Sequence, residues 1–348
     1  MRIPLHGWHR IEDKEKNYKL FKTEDHMKHL DDMVLISGRY GTKFGKKVEE
    51  ELQKNILSIL KSNDVYLDDN NKDILSVIKS NSLKVHELET TVFPDKELLP
   101  NVPCDVAEKD VHLMYSISMP DPDLNIQLME LLFAQSAIAR AGASNITTYM
   151  PFMPYQRQDR KDRGRVPISA KDLFNLLVSS SYGKLKRIVT TTLHSDQNQA
   201  HFDGSVDNLP AFHLPASYLK SFRGNEYIPV GPDAGSGKMA NEMAVLLNSG
   251  RYSLVDKERL SPDTTNANYL IGDVSGKTGV VVDDILSTAG TLVNAFKEIY
   301  KENNKRSYSI IAHGEFSMDD KGIPAIKKLR DAYDNGFINK VFVSDSIT

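Results

Sequence analysis

The chain has 348 residues, 40% hydrophobic and 26% charged, with a formal net charge of -3; that length exceeds what one ordinary core serves, so two α/β domains are expected and wholesale disorder is excluded. So small a charge supplies no broad basic field, which excludes nucleic acid and anionic membrane as partners. The single cysteine, Cys104, permits no intrachain disulfide and reads as an inert thiol, and no apolar run approaches the roughly 20 residues of a membrane span, so a cytoplasmic protein is expected.

Residues 1–32 are polar and charged and read as an N-terminal extension. MVLISG (33–38) predicts a first strand, and Phe44, Val48, Leu52, Ile56 and Leu60, four residues apart, predict one apolar stripe on the helix that follows. Residues 61–82, rich in Asn, Asp, Ser and Lys, read as a polar surface insertion. Strand-like and helix-like segments then alternate: VHLMYSI (111–117), LNIQLMELLFAQSAIARAG (124–142), NITTYMPFM (145–153), AKDLFNLLVSSS (170–181) and KRIVTTTL (186–193). The alternation resumes with YIPVGPD (227–233), KMANEMAVLLN (238–248), RYSLVD (251–256), TGVVVDD (278–284), TLVNAFKEIYKEN (291–303), SYSIIAHG (307–314), IPAIKKLRDAY (323–333) and KVFVSDSI (340–347). Near-continuous Val/Ile/Leu strands separated by helices imply mostly parallel sheets buried on both faces. Two such sheets are expected, in domains 33–208 and 209–348 that meet near VDNLPAFHLPA (206–216).

Open parallel sheets bind ligands at the carboxyl ends of their strands, so the polar residues closing four apolar strands are the candidates for chemistry. VVV ends in Asp283 and Asp284, and Ser287, Thr288, Ala289, Gly290 and Thr291 then turn into a helix. Small residues there let backbone N–H groups close around a phosphate while the carboxylates reach sugar hydroxyls or magnesium. Plain capping is the bland reading. PVGPDAGSGK carries Asp233 before a small-residue turn; five residues separate Gly231 from Gly237, and Met239 stands where Ser or Thr is needed, so a Walker loop is excluded. A sugar-phosphate contact and a simple capped turn both remain open. His194 closes TTLH, and taken alone it reads as a satisfied structural histidine. MPFMPYQRQDRKDRGRVPISAK (150–171) reads equally as a solvated charged face or, directly after a strand, as a polyphosphate grip.

Together, MPFMPYQRQDRKDRGRVPISAK, TTLHSDQNQAHFDGSVDNLPA, DKERL and VVVDDILSTAGTL resemble the phosphoribosyl diphosphate (PRPP) synthetases, or ribose-phosphate diphosphokinases, in order and spacing over 33–347. FPDKE (93–97) resembles that family's adenine-binding Phe-x-Asp-x-Glu. The resemblance implies two phosphoribosyltransferase-like domains, each a mostly parallel sheet flanked by helices, in a homo-oligomer of at least a dimer. It implies transfer of a diphosphoryl group from Mg-ATP to the 1-hydroxyl of ribose 5-phosphate, with Mg2+ as cofactor, ATP as co-substrate and AMP released. Phe93, Asp95 and Glu97 would hold adenine and its ribose from a neighbouring subunit, and Arg157, Gln158 and Asp159 would contact ATP. His194 and Asp233 would lie at the magnesium. Asp233, Asp283 and Asp284 would address the acceptor ribose, and Ser287, Thr288, Ala289, Gly290 and Thr291 its 5-phosphate. Lys257 and Arg259, with His194, would be catalytic.

Departures from the family accompany the matches. Ser287 stands where the phosphate loop normally begins with Asp, Met239 where Arg is usual, and Pro94 and Lys96 where Ser and Gly are. NVPCDVAEKD (101–110) lacks the family's Asn-Val-Arg-Gly, and the resemblance stops at Ile347, ahead of a usual C-terminal strand and helix, so a standard family hexamer is not expected. Ribose 5-phosphate is the expected acceptor, with a larger ribosyl phosphate such as ADP-ribose as the alternative. A PRPP-consuming phosphoribosyltransferase would share VVVDDILSTAGTL but not FPDKE or RQDRK. A non-catalytic regulatory homologue would be expected to lose Lys257 or Arg259, and both are present.

Overall fold

A computed structural model describes residues 32–62, 84–119, 123–222, 226–258 and 267–347, without side-chain detail at 56–62, 257–258 and 267–268. The N-terminal extension and most of the insertion at 61–82 therefore lie outside the described residues, as does Arg259.

The first sheet contains β1 (Met33–Ser37), β2 (Val85–Glu87), β5 (Asp110–Met114), β6 (Asn145–Tyr149), β7 (Leu185–Thr191) and β8 (Ser205–Leu209), in the order β2-β1-β5-β6-β7-β8. All of its pairings are parallel. The helices described along this part of the chain are α1 (Thr42–Ser62), α2 (Leu124–Arg140) and α3 (Ser169–Ser180). Phe44, Val48 and Leu52 of α1 pack on Leu35, Val85 and Met114, as their spacing predicted. On α2, Leu128, Leu131, Leu132 and Ile138 join Leu113, Ile146 and Ile188 in a larger core. A short antiparallel hairpin, β3 (Glu89–Val92) with β4 (Leu98–Asn101), stands apart from this sheet.

The second sheet runs β11 (Ala267–Ile271), β10 (Ser253–Glu258), β9 (Tyr227–Gly231), β12 (Thr278–Leu286), β13 (Ser307–Gly314), β14 (Ile338–Val343). Only the β10–β11 pairing is antiparallel. The helices here are α4 (His213–Lys220), α5 (Gly237–Leu247), α6 (Gly290–Asn303) and α7 (Ala325–Asp334). On α6, Leu292, Ala295, Phe296 and Ile299 face the sheet, joining Val281 and Ile311 in one core. Each large side chain buried this way contributes about 1.5–3 kcal/mol, so the helix is held firmly against the strand that feeds it.

Two boundaries differ from expectation. Asp283 and Asp284 do not end their strand. Ile285 and Leu286 continue the ladder opposite His313 and Gly314, which keeps both carboxylates on rigid backbone. The polar segment at 205–209 is a strand as well, because it completes the first sheet beside β7.

Candidate active site

In the second sheet β9 leads outward through α5 to β10, while β12 leads the other way through α6 to β13. The carboxyl ends of β9 and β12 therefore border the crevice where such sheets bind ligands. Asp233 follows β9 and Asp283 and Asp284 lie in the carboxyl-terminal half of β12, close enough for the charges of Asp233 and Asp284 to act on Asp283.

Beyond β12 the chain turns at Ala289, whose φ of 61° is left-handed. This turn starts α6 with a bond from the Val293 amide to the Ala289 carbonyl. An added Cβ at Gly290 would meet nothing nearer than Thr288 Oγ1 at 3.9 Å, so the side of the loop facing away from the core is open. Ser287, Thr288, Gly290 and Thr291 are half-buried around that opening, and Ala289 is buried. Amide groups at a helix start beside open space form a cradle for a phosphate. Asp233 caps the other turn: its Oδ1 accepts from the Ser236 amide at 3.0 Å, and Ser236 Oγ donates to the Asp233 carbonyl at 2.8 Å. Its second carboxylate oxygen makes no hydrogen bond among the described residues.

The first sheet contributes from across the cleft. Three residues past the end of β7, His194 places Nδ1 2.6 Å from Asp284 Oδ2. The hydrogen bond to Asp284, together with its charge, holds the His194 pKa above the ordinary value against burial. Burial is the largest influence on Asp284 and pushes it upward, but the bond and charge of His194 outweigh burial and leave that carboxyl below its usual range. Asp283 fares differently. Burial, then the charges of Asp284 and Asp233, push its carboxyl up to about 8. A pocket that resists one more negative charge favours a cation or a cationic side chain.

Other candidate residues are distributed unevenly. Asp159 lies close enough to His194 to raise its pKa further, and Arg157 close enough to oppose this. Arg157 Nη2 also pairs at 3.2 Å with Oε2 of Glu315, the residue that follows β13. Gln158 holds the start of α3, because its Oε1 accepts from Ser169 Oγ at 2.6 Å and its carbonyl from the Ala170 amide. Phe93, Asp95 and Glu97 form the exposed tip of the β3–β4 hairpin, closed by the Phe93 amide on the Glu97 carbonyl at 2.9 Å. They share no hydrogen bond or ion pair with the cleft groups among the described residues. Lys257 lies in β10 opposite Asn268.

Three groups escaped the sequence reading. Lys238 of α5 reaches across the cleft to Asp196. Glu315 receives Arg157, and His313 lies buried between the sheets, burial lowering its pKa so that the ring is neutral. His313 and Glu315 stand at the carboxyl end of SYSIIAHG, and inspecting that strand end like the other four would have found them.

Comparison with known proteins fits this geometry. Residues 33–180 match the family described as the N-terminal domain of ribose phosphate pyrophosphokinase, and residues 213–339 match the phosphoribosyl transferase domain. A ribose-phosphate pyrophosphokinase of Fusobacterium nucleatum is 34% identical over 267 residues, 76% of this chain and 79% of that protein. One from Thermosipho africanus is 38% identical over 239 residues, 68% of this chain and 72% of that protein. The crystal structure of phosphoribosylpyrophosphate synthetase from Mycobacterium smegmatis superposes with a TM-score of 0.69 at 28% identity, covering 91% of this chain and 89% of that one.

Proposed function

Because the chain belongs to the ribose-phosphate pyrophosphokinase family and is an enzyme of that type, we propose that it transfers the terminal diphosphoryl group of ATP to the anomeric hydroxyl of ribose 5-phosphate. The observation that carries this reading is the pairing of His194 from one sheet with Asp284 from the other, directly beside the phosphate cradle at Ser287–Thr291. An ATP-side group and an acceptor-side group thus meet across one cleft.

In the proposed reaction the hydroxyl oxygen attacks the β-phosphorus. The bond from that phosphorus to the oxygen shared with the α-phosphorus breaks, AMP leaves with the electron pair, and the hydroxyl proton passes to solvent. Such a transfer needs alignment and charge neutralisation more than covalent help. The cradle would grip the 5-phosphate, and Asp283 and Asp284 would fix the ribose hydroxyls. Arg157, Gln158 and Asp159 would hold the triphosphate. Lys257 of β10 and Arg259 would bring positive charge to the transferring group. The exposed Phe93, with Asp95 and Glu97, would reach the adenosine of a neighbouring copy, which is why at least a dimer is proposed.

The residues also fit a magnesium ion. Asp284 fixes the His194 tautomer with the proton on Nδ1, leaving Nε2 available as a ligand, and Asp233 has a carboxylate oxygen to offer. Magnesium takes few protein ligands and completes its shell with water and phosphate oxygens. When bound, the ion neutralises charge on the phosphate chain.

A second reading keeps the chemistry and enlarges the acceptor. Ser287 stands where the resemblance expects Asp, which changes the lining beside the 5-phosphate and leaves a larger ribosyl phosphate such as ADP-ribose as the alternative acceptor. Side-by-side incubation with Mg-ATP and either acceptor decides: AMP appearing only with ribose 5-phosphate supports the first reading, AMP only with ADP-ribose the second, and acceptor-independent AMP neither.

A further inference from the structure

Behind the His194–Asp284 contact the two sheets meet again, at groups that none of the roles above uses. His313 belongs to β13, beside Ile285 of β12, and is 3% exposed. Its Nε2 lies 3.1 Å from the Thr192 carbonyl, two residues before His194, and its Nδ1 lies 2.7 Å from Ser346 Oγ. A carbonyl only accepts, so Nε2 carries the proton and donates; Nδ1 of the neutral ring then accepts from the Ser346 hydroxyl. The ring also packs on Phe152, with centroids 5.0 Å apart, at the start of the segment that carries Arg157.

The chain after β14 extends this junction. Ser116 Oγ donates to the Ser346 carbonyl at 3.4 Å, Ile347 bridges Ile117 in parallel and packs on the first core, and Asp345 pairs with Lys47. The exposed ion pair adds little. The buried ring matters more, because a buried polar group is costly unless both nitrogens are bonded. One nitrogen is bonded by the opposite sheet's exit loop and the other by a residue that also reaches the opposite sheet. An apolar side chain would fill the same space without either tie.

We propose that His313 and the segment Asp345–Ile347 form a clasp that sets the spacing of the two sheets, with His313 acting through Thr192 as the positioning residue that aims His194 at Asp284. Thr192 has φ 46°; its amide bonds the Leu209 carbonyl, its hydroxyl receives the Ala211 amide and the next amide, Leu193, bonds Asn208 Oδ1, so His313 supplies the tie to this turn that comes from the second sheet. A displacement of about 1 Å at a reacting group can cost on the order of 100-fold in rate, so a loosened clasp is read in turnover. The rate consequence rests on the diphosphoryl-transfer reading, whereas the spacing of the sheets does not.

The test uses His313→Leu, His313→Gln and Ser346→Ala in the full chain, with amide hydrogen exchange and steady-state kinetics on Mg-ATP and the accepted ribosyl phosphate. His313→Leu is expected to speed exchange at 192–195 while the strands of both sheets stay protected, and to lower kcat roughly 10- to 100-fold with little change in KM. His313→Gln, whose amide keeps a donor for the Thr192 carbonyl, should recover most of both readouts, and Ser346→Ala should move them in the same direction by less. Unchanged exchange and kcat in His313→Leu would overturn the proposal, as would His313→Gln failing as badly as His313→Leu. Should His313→Leu not fold, Ser346→Ala decides alone, and an unchanged pair of readouts overturns the clasp. A wild-type enzyme that releases no acceptor-dependent AMP would refute the functional reading only, and the exchange data would still judge the clasp.

Discussion

Asp284→Asn keeps the shape of a buried side chain, 7% exposed, while removing the charge opposite His194. The charge-assisted bond at 2.6 Å is of a kind that contributes about 1.5–3 kcal/mol. Asparagine Oδ1 can still accept from Nδ1, and a neutral bond of about 0.5–1.5 kcal/mol would remain. The His194 side chain is 40% exposed, so solvent screening places the loss at the low end of that difference. About 1 kcal/mol is therefore expected, or a fall of roughly 1–2 °C in Tm for a chain of this size. A protein with a stability of about 5–15 kcal/mol stays folded after such a change. Activity should respond much more. Without the carboxylate charge His194 loses the partner that raises its basicity, and changes at such partners typically cost about 10- to 100-fold in activity or metal affinity. Differential scanning calorimetry and AMP release, measured on one preparation, supply both numbers. Activity within about twofold of wild type would refute the role given to the pair. A fall in Tm of about 10 °C or more would make Asp284 a structural post instead.

Lys257→Ala should lower kcat by on the order of 100-fold or more with ATP affinity by calorimetry nearly unchanged, because its contact forms chiefly in the transition state; unchanged turnover would remove Lys257 from the mechanism. Ser287→Asp should raise the ratio of kcat/KM for ribose 5-phosphate over that for ADP-ribose, and an unchanged ratio would exclude Ser287 from acceptor choice. Away from the site, Lys328 and the Ile323 amide hold the Asp319 carboxyl down at about 2. Its folded pKa is depressed, so its stabilisation is fully present above the ordinary carboxylate value of about 4 and is lost as pH falls through about 2. The Tm difference between wild type and Asp319→Asn should accordingly be steady near neutrality and close over that acid window; a gap that persists at its lower end would show that the contact does not work through ionisation.

The long apolar strands and the helices between them were legible because burial on both faces leaves continuous runs such as VVV and YIPVG. Short elements were not. Val85–Glu87 and Glu89–Val92 have too few apolar residues to show a period, and the first is held by its pairing with β1. The end of β12 was misplaced because Asp283 and Asp284 look like a terminus, whereas the neighbouring strand β13 continues and carries Ile285 and Leu286 with it. The motif residues identified candidates for both halves of the cleft but could not give their contacts. That His194 meets Asp284, 90 positions later, follows only from the way the sheets pack. His313 gave no motif signal, since its partners are a backbone carbonyl and a hydroxyl supplied by tertiary structure.

The central claim is diphosphoryl transfer, and the fate of the terminal phosphate tests it most directly. With γ-labelled ATP, magnesium and the accepted ribosyl phosphate, the account predicts label in the sugar product and unlabelled AMP in equal amount, with the 31P spectrum of the product showing a diphosphate at the anomeric position. Release of ADP with a single phosphate on the sugar, or label recovered only as inorganic phosphate, would contradict it.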